Sequence, residues 1–177
     1  MTKDEMKKVV CQAIDEAAEK IHETVLRIES EPELGYKEMK TAAKVESYMK
    51  ELGLMPQTGL ALTGVKTCVD GGKKGPAIAV LAELDAVGTP DSPKADPLTG
   101  AAHTCGHFLQ MASMLAACTG IVRSGVMKDL AGSAVFFAVP AEEYVEIDYR
   151  KRLVKEGKIH FLGGKSELVY EGHFDDI

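Results

Sequence analysis

The sequence predicts an α/β protein with a largely parallel or mixed sheet and helices on both of its faces. Three observations lead there. Apolar residues recur every three or four positions over residues 2–28, 37–52 and 106–123, the period of a helix with one buried face. Two short and almost unbroken apolar runs, 77–84 and 132–139, have the character of strands covered on both sides. Helical and strand patterns alternate along the chain, and that order layers helices on a sheet. With 177 residues there is room for one sizeable core.

Taken in order, Met6, Val9, Ala13, Ala17, Ile21 and Val25 line one face of the first helix, and Thr2 with Glu5 has the form of a capping box. Pro32 and Gly35 break the pattern. Met39, Ala42, Val45, Met49 and Leu52 mark a second helix, which Gly53 stops. Residues 60–62 and 65–69 read as short strands. Residues 71–76 read as a hairpin turn, because the glycines lack the spacing of a phosphate loop. Residues 86–102 hold three prolines and two glycines and form a loop long enough to carry function. Leu109, Met111, Met114, Leu115 and Cys118 lie on the inner side of a third helix. A charged helix follows over 144–156, and another over 164–170. Both apolar runs, 77–84 and 132–139, are expected as central strands of one sheet, with helices 2–28 and 106–123 packed on its faces.

Composition narrows the function classes. A formal net charge of −6 argues against a nucleic-acid-binding face, which needs clustered Lys and Arg. The longest apolar segment, 108–122, contains Gln110, Ser113 and Thr119 and is too short to cross a bilayer. Residues 2–8 show no signal-peptide core. Cysteines 11, 68, 105 and 118 have no disulfide-like spacing, which fits a reducing cytoplasm. The expectation is a cytoplasmic protein with neither a nucleic-acid nor a membrane partner.

Three stretches could carry chemistry, each at a strand end or a helix start, where α/β sheets place their ligands. Glu83 and Asp85, two apart on a strand, point to the same side; taken alone they also fit a solvated strand end. Cys105 and His107, separated by Gly106, can converge on one ion, since glycine lets the backbone fold tightly between them. A helix starting here would favour the thiolate through its free N–H groups. A small buried Cys beside a surface His is the plainer alternative. His103 and His107 are four apart, but His103 falls before the helix, so they are not read as a helical metal pair. Glu142 and Glu143 follow the second apolar run. As neighbours they cannot share one direction, so one can bind a metal while the other takes a proton from water, the division of labour of metal-assisted hydrolysis. An acidic loop is the plainer alternative there.

The order of these stretches resembles a known family, the metal-dependent amidohydrolases related to aminoacylases and zinc carboxypeptidases. The nearest branch is that of N-acyl-amino-acid, hippurate and p-aminobenzoyl-glutamate hydrolases. The matching residues are Glu33-Leu-Gly35, Ala82-Glu-Leu-Asp-Ala86, His103-Thr-Cys-Gly-His107 and Pro140-Ala-Glu-Glu143, with Gly163-Gly-Lys165 and Phe174-Asp-Asp176 after them. The resemblance implies Cys105, His107 and Glu143 as metal ligands, Glu142 as general base and Asp85 as support from the preceding strand. It implies a divalent metal, zinc with manganese or cobalt as alternatives, and two ions in the complete site. The substrate implied is a small N-acyl amino acid or dipeptide-like amide, and the full-length protein would be a homo-oligomer.

The chain also departs from the family pattern. Phe108 stands where the family has Asp or Asn, and a charged helix lengthens the stretch between Glu143 and Gly163. A further His ligand, the lid and dimerisation domain and the rest of the catalytic domain are not found. Residues 1–177 are therefore expected to be the N-terminal portion of a metallo-amidohydrolase catalytic domain, inactive alone. A non-catalytic, metal-binding or structural remnant is the alternative.

Overall fold

A computed structural model describes residues 1–177. The chain opens with two helices, α1 (Lys3–Asp15) and α2 (Ala18–Glu29), in place of the single helix expected over 2–28. The break falls at Ala17, whose φ of −103° and ψ of 0° leave the helical region. The apolar stripe runs on across it, with Ala13, Ala17 and Ile21 all buried, so periodicity alone could not reveal the break. The capping box forms in both directions: Thr2 N–H donates to Glu5 Oε2 at 2.7 Å and Glu5 N–H to Thr2 Oγ1 at 3.3 Å. α3 (Met39–Glu51) stops at Gly53, which takes the left-handed φ of 81° that suits glycine.

There follow β1 (Gln57–Leu60), β2 (Gly64–Asp70), β3 (Ala77–Glu83), the two-residue strands β4 (Val87–Gly88) and β5 (Ala101–Ala102), α4 (His107–Ser124), β6 (Ser133–Val139), α5 (Ile147–Lys155) and α6 (Gly164–Tyr170). The sheet has the order β1-β2-β6-β3. β2 runs antiparallel to β1 and β6, and β3 runs parallel to β6, so the sheet is mixed. β4 and β5 pair separately within the long loop.

Two expectations are corrected here. Residues 71–76 are not a hairpin turn, because β6 lies between β2 and β3. The segment instead crosses the end of β6, held by Gly71 N–H on Gly132 O at 2.9 Å and Gly132 N–H on Lys73 O at 2.8 Å. Of the two apolar runs only β6 is central. β3 lies at the sheet edge, with Ile78 64% and Leu81 39% exposed. Its sequence is more apolar than its cover in this chain requires.

β6 explains why helices occupy both faces. Phe136 and Ala138 point into the larger core, among Val45, Met49, Met111, Met114 and Leu115 from α3 and α4. Val135, Phe137 and Val139 point the other way, against Leu153 of α5, Leu168 of α6 and Ile159 between the two helices. This is the two-residue alternation of a strand buried on both sides. Truncating Phe136 or Phe137 to Ala would cost about 3–5 kcal/mol. The stiff central strand delivers Pro140–Glu143 to one end of the sheet, beside the end of β3. No helix is long and apolar enough to cross a membrane.

Candidate metal centre

The parallel pair β3–β6 ends with its ladder extended by Leu84 N–H on Val139 O at 2.9 Å. Glu83 and Asp85 leave one strand there and Glu142 and Glu143 leave the other. α4 starts at the same end, preceded by Gly106 at φ 101°, a conformation that side chains disfavour and that lets Cys105 and His107 approach the same point.

His107 is buried, and both ring nitrogens are engaged. Nδ1 lies 2.8 Å from the carbonyl oxygen of Asp85 and 3.3 Å from Asp85 Oδ1. In the neutral ring the Asp85 carbonyl keeps the proton on Nδ1 and leaves the Nε2 lone pair for a ligand. Nε2 is 3.2 Å from Glu83 Oε2 and 3.8 Å from both Glu142 Oε2 and Glu143 Oε1. Ligand atoms of Cys105, His107 and Glu143 all lie within 4.8 Å of one another, as do those of Glu83, His107 and Glu142. Sulfur, imidazole and carboxylate at this spacing are the donor types that zinc takes. Adjacent glutamates were expected to diverge. Both in fact reach the same nitrogen, Glu143 on the side of Cys105 and Glu142 on the side of Glu83.

Asp85 is fully buried and supports two of these groups at once. Besides orienting His107, its Oδ2 accepts the backbone N–H of Glu143 at 2.9 Å. Glu83 is shared, with Oε2 towards His107 and Oε1 paired with Lys165.

The cluster has more carboxylates than cationic side chains, and its protons are held tightly. Burial disfavours the His107 imidazolium, but the hydrogen bonds and charge of Asp85, with the charge of Glu83, more than offset this and lift its pKa to about 9. The Cys105 thiol is pushed up to about 11, first by its hydrogen bond to Glu143, then by burial and the nearby carboxylates. The helix start was expected to favour the thiolate, but the neighbouring carboxylates outweigh it. A divalent cation would reverse that balance.

His103 precedes α4 and makes no helical pair with His107. Both its ring nitrogens are buried without a partner, its ring packs 5.7 Å from that of Phe108, and burial, then the charge of His107, lowers its pKa to about 4. Sequence reasoning gave no role to Glu83, although it noted that Glu83 shares a side with Asp85. It missed Glu38 and Arg150 altogether. Glu33, from the quoted Glu33-Leu-Gly35 match, caps the start of α3 by accepting Lys40 N–H at 3.1 Å and Thr41 N–H at 2.8 Å.

A mixed α/β sheet with a thiol, an imidazole and four carboxylates gathered at its strand ends has the layout of a metal-dependent hydrolase. No family model matches the chain. It is 31% identical over 142 residues to YhaA of Bacillus subtilis, a protein assigned as an amidohydrolase, covering 78% of this chain and 35% of that one. It is 31% identical to thermostable carboxypeptidase 2 of Saccharolobus solfataricus, over 74% of this chain and 34% of that one. With the N-acetylcysteine deacetylase of Bacillus subtilis it shares 31% identity over 63% of this chain and 30% of the relative. Among solved structures, a dinuclear metal-binding peptidase of the M20 family from Bacillus subtilis aligns with a TM-score of 0.61 at 25% identity, over 78% of this chain and 39% of that one. A protein of methicillin-resistant Staphylococcus aureus assigned as an aminohydrolase shares the fold over 97% of this chain and 40% of its own, with a TM-score of 0.74 at 22% identity. By sequence and fold, then, the chain resembles the metal-dependent amidohydrolases and peptidases of the M20 family. It spans about a third of the length of the curated relatives it matches.

Proposed function

We propose that this chain is the metal-holding portion of a hydrolase catalytic domain that cleaves the amide bond of an N-acyl amino acid or dipeptide-like substrate. The observation that carries the reading is the convergence of Cys105, His107 and Glu143 within 4.8 Å, with Glu142 beside them. In this reading Cys105, His107 and Glu143 hold a divalent ion, and Asp85 keeps the His107 ring turned with Nε2 towards it. Zinc suits the donors best, manganese and cobalt being alternatives. The M20 relative's dinuclear site supports a second ion, for which the Glu83 carboxylate is the nearest further donor. Bound here, the ion would supply Lewis acidity and a more acidic water. Glu142, the more exposed of the two glutamates, would accept the proton of that water and return it to the leaving amine. The name of the N-acetylcysteine relative supports an N-acyl amino acid as substrate.

A second reading, in which residues 1–177 bind metal without turning over substrate, is supported by the commitment of His160, His173 and Arg150 to other partners. A cytoplasmic location, and a homo-oligomer in a longer form, belong to the proposal. The test is elemental analysis and zinc titration of the purified chain and of Cys105→Ser, followed by a screen on N-acetyl, N-benzoyl and p-aminobenzoyl amino acids. Zinc uptake that does not depend on Cys105 would rule the site out.

A further inference from the structure

The turn that carries Glu142 and Glu143 is not held by its own conformation. Ala141 is fully buried and has a φ of 52°, a left-handed backbone that costs a non-glycine residue about 1 kcal/mol or more. Such a conformation persists only where the surroundings impose it. Besides the Gly164 N–H, which donates to the Ala141 carbonyl at 3.1 Å, and Asp85, which holds the Glu143 N–H, two buried charged side chains do so here. Glu38 Oε1 accepts the Ala141 N–H at 2.7 Å, while its Oε2 accepts the Thr63 hydroxyl at 2.7 Å. Arg150 of α5, with no exposed surface, donates Nη1 to the carbonyls of Ala141 at 3.3 Å and Leu162 at 2.6 Å, and Nη2 to the carbonyl of Glu143. Gly35 makes room for this. A Cβ there would stand 2.9 Å from Ala141 Cα and run into the Arg150 guanidinium.

We propose that Glu38 and Arg150 are positioning residues that clamp the backbone of residues 141–143 and so aim the carboxylates of Glu142 and Glu143 at His107. This rests on the metal reading given above. It explains why two charges are buried beside Glu33-Leu-Gly35 and within the charged helix that follows the paired glutamates, where packing alone would favour apolar side chains.

The experiment is a cobalt titration of the purified chain, read by the thiolate charge-transfer band of Cys105 and by competition with a chelator. Glu38→Ala and Arg150→Met should bind cobalt about 10–100-fold more weakly than the parent, the usual loss when the support of a ligand is removed. Glu38→Gln and Arg150→Lys, which keep one contact each, should recover most of it. Glu38→Asp, which retains the charge but shortens the reach, serves where Glu38→Ala does not fold. The control is Glu167→Ala. Glu167 is also a buried carboxylate and holds the His160–Phe161 turn, so it should lower the melting temperature without changing the affinity. An unchanged affinity in Glu38→Ala, or an equal loss in Glu167→Ala, would overturn the clamp. Amide hydrogen exchange over residues 140–145 gives a readout free of metal. Faster exchange in Glu38→Ala than in Glu167→Ala is expected, and equal exchange overturns the proposal. A parent chain that binds no cobalt sinks the metal reading and leaves the exchange comparison to decide on the clamp.

Discussion

Asp85 accepts the backbone N–H of Glu143 at 2.9 Å, so the residue just past the end of β3 fixes the turn that leaves β6. The same residue's carbonyl oxygen faces His107 Nδ1 at 2.8 Å. One buried aspartate therefore sets the orientation of an imidazole and the position of a carboxylate from two other elements. The parallel β3–β6 pairing makes this possible, because it brings both strand ends to the same edge in register, Glu83 opposite Val139.

Asp85→Ala should accordingly damage the cluster at two points. The Glu143 N–H would lose its acceptor and the His107 ring the carboxylate 3.3 Å from Nδ1, while the Asp85 carbonyl beside Nδ1 remains. Zinc affinity by isothermal calorimetry should fall about 10–100-fold, and stability in a urea melt by about 1–3 kcal/mol, the cost of an unsatisfied buried donor. An unchanged affinity would mean that the carbonyl of residue 85 is enough to orient the imidazole.

Glu38 supplies the pH dependence. Burial raises its pKa to about 7, and the hydrogen bonds from Thr63 and Ala141 only partly oppose this. A carboxyl raised on folding contributes stability that is fully present below its unfolded pKa and is lost as pH rises through the folded value. The chain should therefore lose up to about 3 kcal/mol from this group between about pH 4.5 and pH 7. Glu38→Gln cannot ionise, so its melting temperature relative to the parent should climb as pH is taken from 5 to 8. A constant difference across that range would show that Glu38 does not titrate there.

Much of this arrangement was legible in the sequence, and what was missed has physical causes. The class of fold followed from helical and strand periods, and β6 was recognisable because an unbroken apolar run needs cover on both faces. β3 has the same apolar signature without the same cover, since composition reports what a strand can tolerate and not who its neighbours are. The break at Ala17 leaves no trace in the apolar stripe. Spacing suggested that Cys105 and His107 converge and that Glu142 and Glu143 face the same cleft edge, while their union as one metal set came from the family resemblance. Glu38 and Arg150 gave no such signal. A charge on an amphipathic helix looks solvated until the tertiary structure buries it.

The uncovered edge of β3 makes a prediction about association. Ile78 and Leu81 are exposed on a strand whose outer backbone groups have no partner strand. Such an edge invites pairing with another strand. The parent chain should self-associate in a concentration-dependent way in sedimentation velocity, and Ile78→Lys should reduce this. Because Ile78 is 64% exposed, stability should change by no more than about 0.5 kcal/mol. A monodisperse parent at high concentration would show that the edge is protected as it stands.

The last prediction concerns turnover by the 177-residue chain itself. Hydrolysis of an amide needs a held metal, an open position for water, a base, and groups that fix the substrate and stabilise the oxyanion. Cys105, His107 and Glu143 can provide the first and Glu142 the base. His160 and His173 are paired with Glu167 and Glu171 and do not belong to the donor cluster, and Arg150 is committed to backbone carbonyls. Each missing transition-state donor costs about 10²–10³ in rate, and the loss of substrate positioning adds to that. Metal-loaded chain assayed on N-acetyl, N-benzoyl and p-aminobenzoyl amino acids should therefore show no turnover above background. Activity that survives repurification and disappears in Glu142→Gln, while cobalt binding is retained, would establish that residues 1–177 form a complete catalyst with Glu142 as its base. Activity that persists in Glu142→Gln would remove Glu142 from that role.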